Sequence, residues 1–366
     1  MTANFLTGPV ELHADVRAAF RNAPVSHRDA GFRGSLRRTR AALCRLVNAP
    51  CVALLVGSGT LANDAVAAQL TDAGHGLILV NGEFGGRLVD HARRMRLRFE
   101  TEECDWGAPF DWHRLARRVM QVRPAWIWAV LAETSTGVLN PLDELHALAA
   151  RAGADLCVDA ISAIGLIEVD LRGVRFATAV SGKGLAAFPG LAAVFHDGRL
   201  STSAHIPRYL DLAYHEAMDG VPFTHSSNLL AALERSLAVT DWKSKYAFVA
   251  DESRRLRAAL RAVGLPPLAE EPHAAPGIVT LEIPASKRAS DVAAELERRH
   301  VLVAHQSGYL QVRNWLQVCL MGQVDADELR GLPATMANIV HAVPQSGRAG
   351  ALPPRPSTDT RDCARS

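Results

Sequence analysis

Lys183 stands in the run Ser181-Gly182-Lys183-Gly184, directly after the apolar stretch Phe176-Ala177-Thr178-Ala179-Val180. Asp159 stands 24 residues earlier, closing a second strand-like run, Ala154-Asp155-Leu156-Cys157-Val158-Asp159. A carboxylate after three apolar residues is costly unless it is paired, and a protonated ring nitrogen would supply the pair. A strand-end carboxylate followed along the chain by a strand-end amine suits pyridoxal phosphate chemistry. The lysine forms a Schiff base, and the acid keeps the pyridine protonated so that the ring accepts electrons. Each residue has a plainer alternative: Asp159 as the cap of the next turn, Lys183 as a solvated loop lysine.

Three more loops have the same strand–loop–helix setting. Gly57-Ser58-Gly59-Thr60 follows the strand Val52–Val56 and opens a helix. Amides at a helix start, helped by hydroxyls, bind anions, so a phosphate fits at Ser58, Gly59 and Thr60. A simple capped turn is the alternative. Asn81-Gly82-Glu83-Phe84-Gly85-Gly86-Arg87 offers Phe84 as a ring to stack on a planar cofactor. Phe84 as a core aromatic is the alternative, and Glu83 and Arg87 read as a local ion pair or solvated charges. Glu133-Thr134-Ser135-Thr136-Gly137-Val138-Leu139-Asn140-Pro141 brings hydroxyls that could donate to a phenolate oxygen, or form an ordinary turn.

These loops need a scaffold. Strands are expected at 52–56, 76–80, 125–130, 155–158, 177–180 and 192–195, each a near-continuous apolar run separated by helical patterns. That alternation indicates an α/β fold with a mostly parallel sheet covered on both faces, whose sites lie at the carboxyl ends of the strands. Residues 1–25 read as an N-terminal arm, with a turn at Thr7-Gly8-Pro9 and a short helix over Asp15–Phe20. Residues 26–245 read as a large cofactor-binding domain, with an arginine-rich helix over Leu36–Val47. Residues 246–343 read as a smaller α+β domain. A long helical stretch, continuous or broken, covers 226–262. A strand at Gly277–Ile283, a helix over Ala289–His300, strands at Leu310–Arg313 and Trp315–Leu320, and a helix over Asp325–Val343 follow. Residues 344–366, rich in Pro, Gly, Ser and Arg, read as a disordered tail.

The 366 residues carry a net charge of +2, which gives no electrostatic case for nucleic acid or an anionic membrane. The six cysteines are scattered with no CxxC pair, as buried reduced thiols of a cytoplasmic protein would be. No apolar run reaches membrane-spanning length, no basic segment opens a signal peptide, and no metal site is read.

In their order, GSGT, NGEFGGR, ETSTGVLNP, VDAISAIG and SGKG resemble the class V aminotransferases of the fold type I pyridoxal phosphate family. The likeness is greatest to the alanine–glyoxylate, serine–glyoxylate and 2-aminoethylphosphonate transaminase branch, over roughly residues 4–340. The resemblance implies a fold type I transferase with a seven-stranded-type sheet. It implies that Ser58, Gly59 and Thr60 hold the cofactor phosphate and that Phe84 stacks on the ring. Ser135 first and Thr134 second would contact the cofactor, with Ser162 beside them. Asp159 would bind the ring nitrogen and Lys183 would carry the internal aldimine. Members are homodimers with sites at the interface, and Thr224 stands where a residue reaches the other subunit's phosphate.

One departure bears on substrate. The family's C-terminal strand carries an arginine that clamps the substrate α-carboxylate, and Gln317 occupies that place. Glutamine cannot form a charged bidentate clamp. Either Arg313 takes over, sharing the face of Gln317 on one continuous strand, or the substrate lacks an ordinary α-carboxylate. On that view Gln317→Arg should improve use of simple α-amino acids. Ser26-His27-Arg28 resembles the Ser-His-Arg of phosphoserine aminotransferases, making His27 and Arg28 candidates for a phosphonate, sulfonate or carboxylate; a surface turn is the alternative. The expected activity is transfer of an amino group from a small amine or amino acid to a 2-oxo acid. A lyase, decarboxylase or eliminase using the same cofactor, and a non-catalytic scaffold, remain open.

Overall fold

The computed structural model describes residues 2–342. The tail from residue 344, Val343 and Cys363 lie outside the described residues. The strands in chain order are β1 (Ala3–Phe5), β2 (Cys51–Val56), β3 (His75–Val80), β4 (Arg98–Glu103), β5 (Trp126–Val130), β6 (Ala132–Glu133) and β7 (Val138–Leu139). They continue with β8 (Asp155–Asp159), β9 (Val174–Val180), β10 (Leu191–His196), β11 (Ile278–Glu282), β12 (Val301–Val303) and β13 (Trp315–Cys319).

Seven strands form the main sheet in the order β2-β10-β9-β8-β5-β3-β4. Only β10 runs antiparallel to its neighbours, β2 and β9; the other pairs are parallel. The apolar runs form strands because the sheet is buried on both sides. Leu54, Leu77, Leu79, Ile127 and Ala129 enter one core, while Ala53, Leu55, Ile78, Trp126 and Trp128 enter the other. The period-two alternation of a strand therefore feeds both faces at once.

The edge strand β4 was not legible as a strand. Its sequence, Arg98-Phe99-Glu100-Thr101-Glu102-Glu103, is dominated by charge, which suits an edge that must not pair with another chain. Its buried Glu102 is met by Arg114 at 2.5 Å and Arg118 at 3.4 Å.

A third core gathers Phe5, Leu256, Leu281, Val303, Leu316 and Met336. It joins the first strand of the chain to C-terminal elements: β1 pairs parallel with β12, and β11 pairs antiparallel with β13. The helical stretch at 226–262 is two helices, Ser227–Val239 and Trp242–Ala262, with Asp241 capping the second through Ser244 N at 3.2 Å.

The expected strand at Leu310–Arg313 is instead a short helix, Gly308–Arg313. Asn314 ends it with a φ of 58°, a left-handed conformation that Asn tolerates and that closes helices. The Asn314 side chain donates to Ile283 O and Lys287 O at 2.9 Å and accepts from Ala289 N at 2.7 Å. Arg313 and Gln317 are therefore not on one continuous strand, and the shared-face argument for Arg313 does not hold.

Candidate active site

Five sheet strands release their loops at one edge, and those loops enclose a cavity of about 150 Å³. Lys183, Asp159, Phe84, Thr134, Ser162 and the Gly59-Thr60 helix start all line it.

Asp159 ends β8 and is 4% exposed. Its Oδ2 accepts from Asn63 Nδ2 at 2.8 Å, and its Oδ1 accepts from Ile161 N at 3.0 Å. Asn63 in turn accepts from Thr178 Oγ1 at 3.0 Å. The carboxylate is thus oriented by two donors rather than left bare, as a buried charge must be. Asn63 reaches it from one turn inside the helix Gly59–Gln69, which follows β2.

Lys183 follows β9. Its Nζ donates to Ser162 Oγ at 2.9 Å, and Thr134 Oγ1 donates to the same oxygen at 2.5 Å. Burial pulls the ammonium pKa down from the usual lysine range, while the nearby Asp159 charge works against that shift. Backbone contact sets the loop's place. Gly165 has a φ of +87°, and any Cβ there would strike the Gly184 backbone. A side chain on Gly184 would likewise strike Ile164 O. The lysine loop therefore lies directly on the segment that follows Asp159.

The helix Gly59–Gln69 starts at the cavity, so its first amides face the space with no earlier carbonyls to bond. A Cβ on Gly59 would meet Ile161 Cδ1 at 2.6 Å and Val180 Cγ1 at 3.2 Å, so only glycine leaves this approach clear. Thr60 lines the cavity beside it. Ser58 is the exposed N-cap residue, and its side chain makes no capping bond.

Phe84 lies in the first turn of the helix Glu83–Arg94. Lys183 Nζ stands 5.4 Å from its ring centroid, and Tyr309 meets the ring edge-on at 6.2 Å. The Glu83–Arg87 ion pair expected from the sequence forms, with Arg87 Nε on Glu83 Oε1 at 3.0 Å. The same guanidinium lies 4.8 Å above Phe84 and lines the cavity.

Other expected residues lie elsewhere. Ser135 is fully buried and does not line the cavity: its hydroxyl donates to Glu133 Oε1 at 2.5 Å and accepts from Glu83 N at 3.0 Å. Thr134, ranked second from the sequence, is the hydroxyl residue on the cavity wall, because side chains alternate along this turn. Gln317 is fully buried and saturated. Its Nε2 donates to Thr134 O, to Ser135 O at 3.2 Å and to Thr280 Oγ1 at 2.9 Å. Its Oε1 accepts from Tyr309 OH at 2.9 Å. No polar atom of Gln317 is left for a ligand, so its role is to tie β13 to the Thr134–Ser135 turn. Arg313 is exposed, with its guanidinium 3.9 Å from the Trp106 centroid and 5.0 Å from that of Trp315. His27 lies partly buried and Arg28 and Thr224 lie exposed, and none of the three lines this cavity.

Sequence reasoning missed Asn63, His91 and the cavity position of Arg87. His91 is buried, with Nδ1 2.6 Å from Asp64 Oδ1. The signal was helical spacing. Asn63 lies four residues after Gly59, and Arg87 and His91 lie three and seven after Phe84, so each shares a face with the residue that was recognised.

The architecture is that of the fold type I pyridoxal phosphate aminotransferases. Over 93% of this chain it superposes with a TM-score of 0.85 on 95% of an alanine–glyoxylate aminotransferase structure from Nostoc sp., at 26% identity. A 2-aminoethylphosphonate–pyruvate transaminase of Paraburkholderia xenovorans is 30% identical over 87% of this chain and 90% of its own. A soluble hydrogenase 42 kDa subunit of Anabaena cylindrica is 28% identical over 76% and 78% of the two chains. The family model for aminotransferase class V matches residues 10–208. The chain belongs to the class V aminotransferases, which are pyridoxal phosphate enzymes.

The residues present fit that cofactor. A helix start suits its phosphate, a buried and hydrogen-bonded carboxylate suits its ring nitrogen, an aromatic ring suits its plane, and a lysine suits its aldehyde. The described residues include no helix long and apolar enough to cross a membrane, and their five cysteines are free thiols.

Proposed function

We propose that this enzyme moves an amino group from a small amine or amino acid to a 2-oxo acid, with Lys183 as the cofactor-bearing residue. The observation that carries this reading is the placement of Lys183 Nζ, Ser162 and Asp159 on the wall of one cavity. When bound, the cofactor supplies an electron sink for the bond broken beside the donor nitrogen.

The protein's own groups then divide the work. Lys183 holds the aldehyde carbon at rest and, once displaced, moves the proton at the donor carbon. A pKa lowered by burial leaves more of the neutral amine near neutral pH, which both tasks need. Ser162 and Thr134 hold Nζ in line. Asp159, aimed by Asn63, keeps the ring nitrogen charged. The Gly59-Thr60 amides, with Ser58 at their edge, carry the phosphate, and Phe84 carries the ring face.

The residues support one reading of the donor. Gln317 is unable to clamp a carboxylate, which favours a donor whose amine carbon bears none. A similar protein is a 2-aminoethylphosphonate–pyruvate transaminase, and an aminoalkylphosphonate has that property. Arg87 is the guanidinium on the cavity wall and is the group placed to meet a distal anion. A lyase, decarboxylase or eliminase whose substrate is held without the usual carboxylate clamp is the alternative that Gln317 keeps open. A homodimer in the cytoplasm is the corresponding assembly. The exposure of Thr224 and Arg28, both away from the cavity of their own chain, leaves them accessible to a second copy.

The test is a half-reaction. A donor amine added without an oxo acid should bleach the visible band of the bound cofactor in stoichiometric amount, and a 2-oxo acid should restore it. Steady turnover without bleaching would favour the lyase. Purified protein that binds no cofactor would remove the enzyme reading.

A further inference from the structure

Glu133 is a buried carboxylate that the reaction does not use. It has no exposed surface, and among the described residues no cation lies within ion-pair distance of it. Four hydrogen bonds run to it instead. Oε1 accepts from Phe84 N at 3.3 Å, Ser135 N at 3.1 Å and Ser135 Oγ at 2.5 Å, and Oε2 accepts from Gly85 N at 3.0 Å. Burial pushes its carboxyl pKa up, and these donors pull against that.

The donors identify its task. Phe84 N and Gly85 N belong to the first turn of the helix Glu83–Arg94, whose N-cap is Gly82 and has no side chain to cap with. Glu133 caps that helix from 49 residues away in sequence, and Ser135 Oγ takes the remaining first-turn amide, Glu83 N, at 3.0 Å. A carboxylate at a helix start is also favoured by the helix dipole. The fit is close: a Cβ on Gly82 would stand 2.5 Å from Glu133 Cγ, Glu133 Cδ and Ser135 Oγ. The middle residue of the same turn, Thr134, faces the other way and reaches Ser162, the oxygen that holds Lys183.

We propose that Glu133 is a positioning residue. By gripping the amides of Phe84 and Gly85 it fixes the Phe84 ring relative to Lys183 and Asp159, and so sets the plane in which the cofactor lies. The inference rests on the reading of Phe84 as the ring-stacking residue. Glu133 does not line the cavity. Its carboxylate cannot be replaced by an amide, because the second end of a glutamine would point an N–H at Gly85 N–H.

A double-mutant cycle tests this with Glu133→Gln, Phe84→Leu and the pair, each prepared without cofactor and titrated with pyridoxal phosphate. If Glu133 acts through Phe84, Glu133→Gln weakens cofactor binding about tenfold in the wild-type background and under about twofold in the Phe84→Leu background. It also changes the induced circular dichroism of the visible band, which reports the tilt of the bound ring. Equal losses in both backgrounds, or an unchanged dichroic band, would overturn the proposal. If Glu133→Gln does not fold, Ser135→Ala takes its place in the cycle and is held to the same non-additivity. Failure of the wild-type protein to bind pyridoxal phosphate at all would instead defeat the reading of the whole site.

Discussion

Asn63 Nδ2 lies 2.8 Å from Asp159 Oδ2, and Thr178 Oγ1 lies 3.0 Å from Asn63 Oδ1. Residues from two strands and a helix, distant in sequence, therefore converge to aim one buried carboxylate. A buried carboxylate needs such donors to offset the loss of water, and their geometry fixes which way it points.

Removing that donor has a measurable consequence. Asn63→Ala should leave the fold intact and weaken pyridoxal phosphate binding about tenfold, the size of one lost charge-assisted hydrogen bond. Fluorescence titration of the apoenzyme reads it. An unchanged dissociation constant would show that Asp159 needs no support from Asn63.

Gln317 gives the second expectation, and it reverses the sequence-based one. Its amide bridges Thr134 O, Ser135 O, Thr280 Oγ1 and Tyr309 OH. Arginine in that place would bury a charge among neutral acceptors. Gln317→Arg should cost about 2–4 kcal/mol of stability and give no gain with α-amino acids. Thermal unfolding and a donor screen check both halves. A stable variant with better α-amino acid turnover would show that the site repacks to use the new clamp.

Much of this site could be read before any coordinates. Strand-end Asp159 and Lys183, the Gly59-Thr60 turn and Phe84 stood in contiguous motifs, where type and local pattern suffice. What escaped depended on partners far along the chain. Glu133 was given no role from the sequence, because the amides it caps lie in another helix. Ser135 looked better placed than Thr134 because the direction of a turn side chain is fixed only once the sheet is assembled. The Gly308–Arg313 segment is too short to tell helix from strand by periodicity, and the left-handed Asn314 settled it. Strand β4 hid behind its charges.

Lys245 supplies a pH signature. Its Nζ donates to Gly184 O at 2.5 Å and Met321 O at 3.3 Å, and burial lowers its pKa to about 8. An unfolded lysine titrates near about 10.4, so between those values the unfolded chain binds more protons and this residue's contribution to stability rises with pH. Below pH 8 both states are protonated and the residue adds no slope. Melting curves of wild type and Lys245→Met from pH 7 to 10 should show a steeper upward trend, or a shallower decline, in the wild type. Parallel trends would mean that Lys245 titrates normally.

Thr134 and Ser162 should differ in effect. Ser162 Oγ receives both the Thr134 hydroxyl and Lys183 Nζ. Ser162→Ala removes the only side-chain hydrogen bond of Lys183 recorded among the described residues and should lower kcat about tenfold or more. Thr134→Ala leaves that bond and should cost less. Stopped-flow bleaching with a donor amine gives both rates, and the reverse order would contradict the arrangement.

The most direct measurement is chemical. Holoenzyme reduced with borohydride, digested and analysed by mass spectrometry should carry the phosphopyridoxyl group on the peptide containing Lys183, and Lys183→Ala should lose both the adduct and the visible band. The adduct on Lys245 or another lysine, or a band that survives Lys183→Ala, would contradict the central assignment.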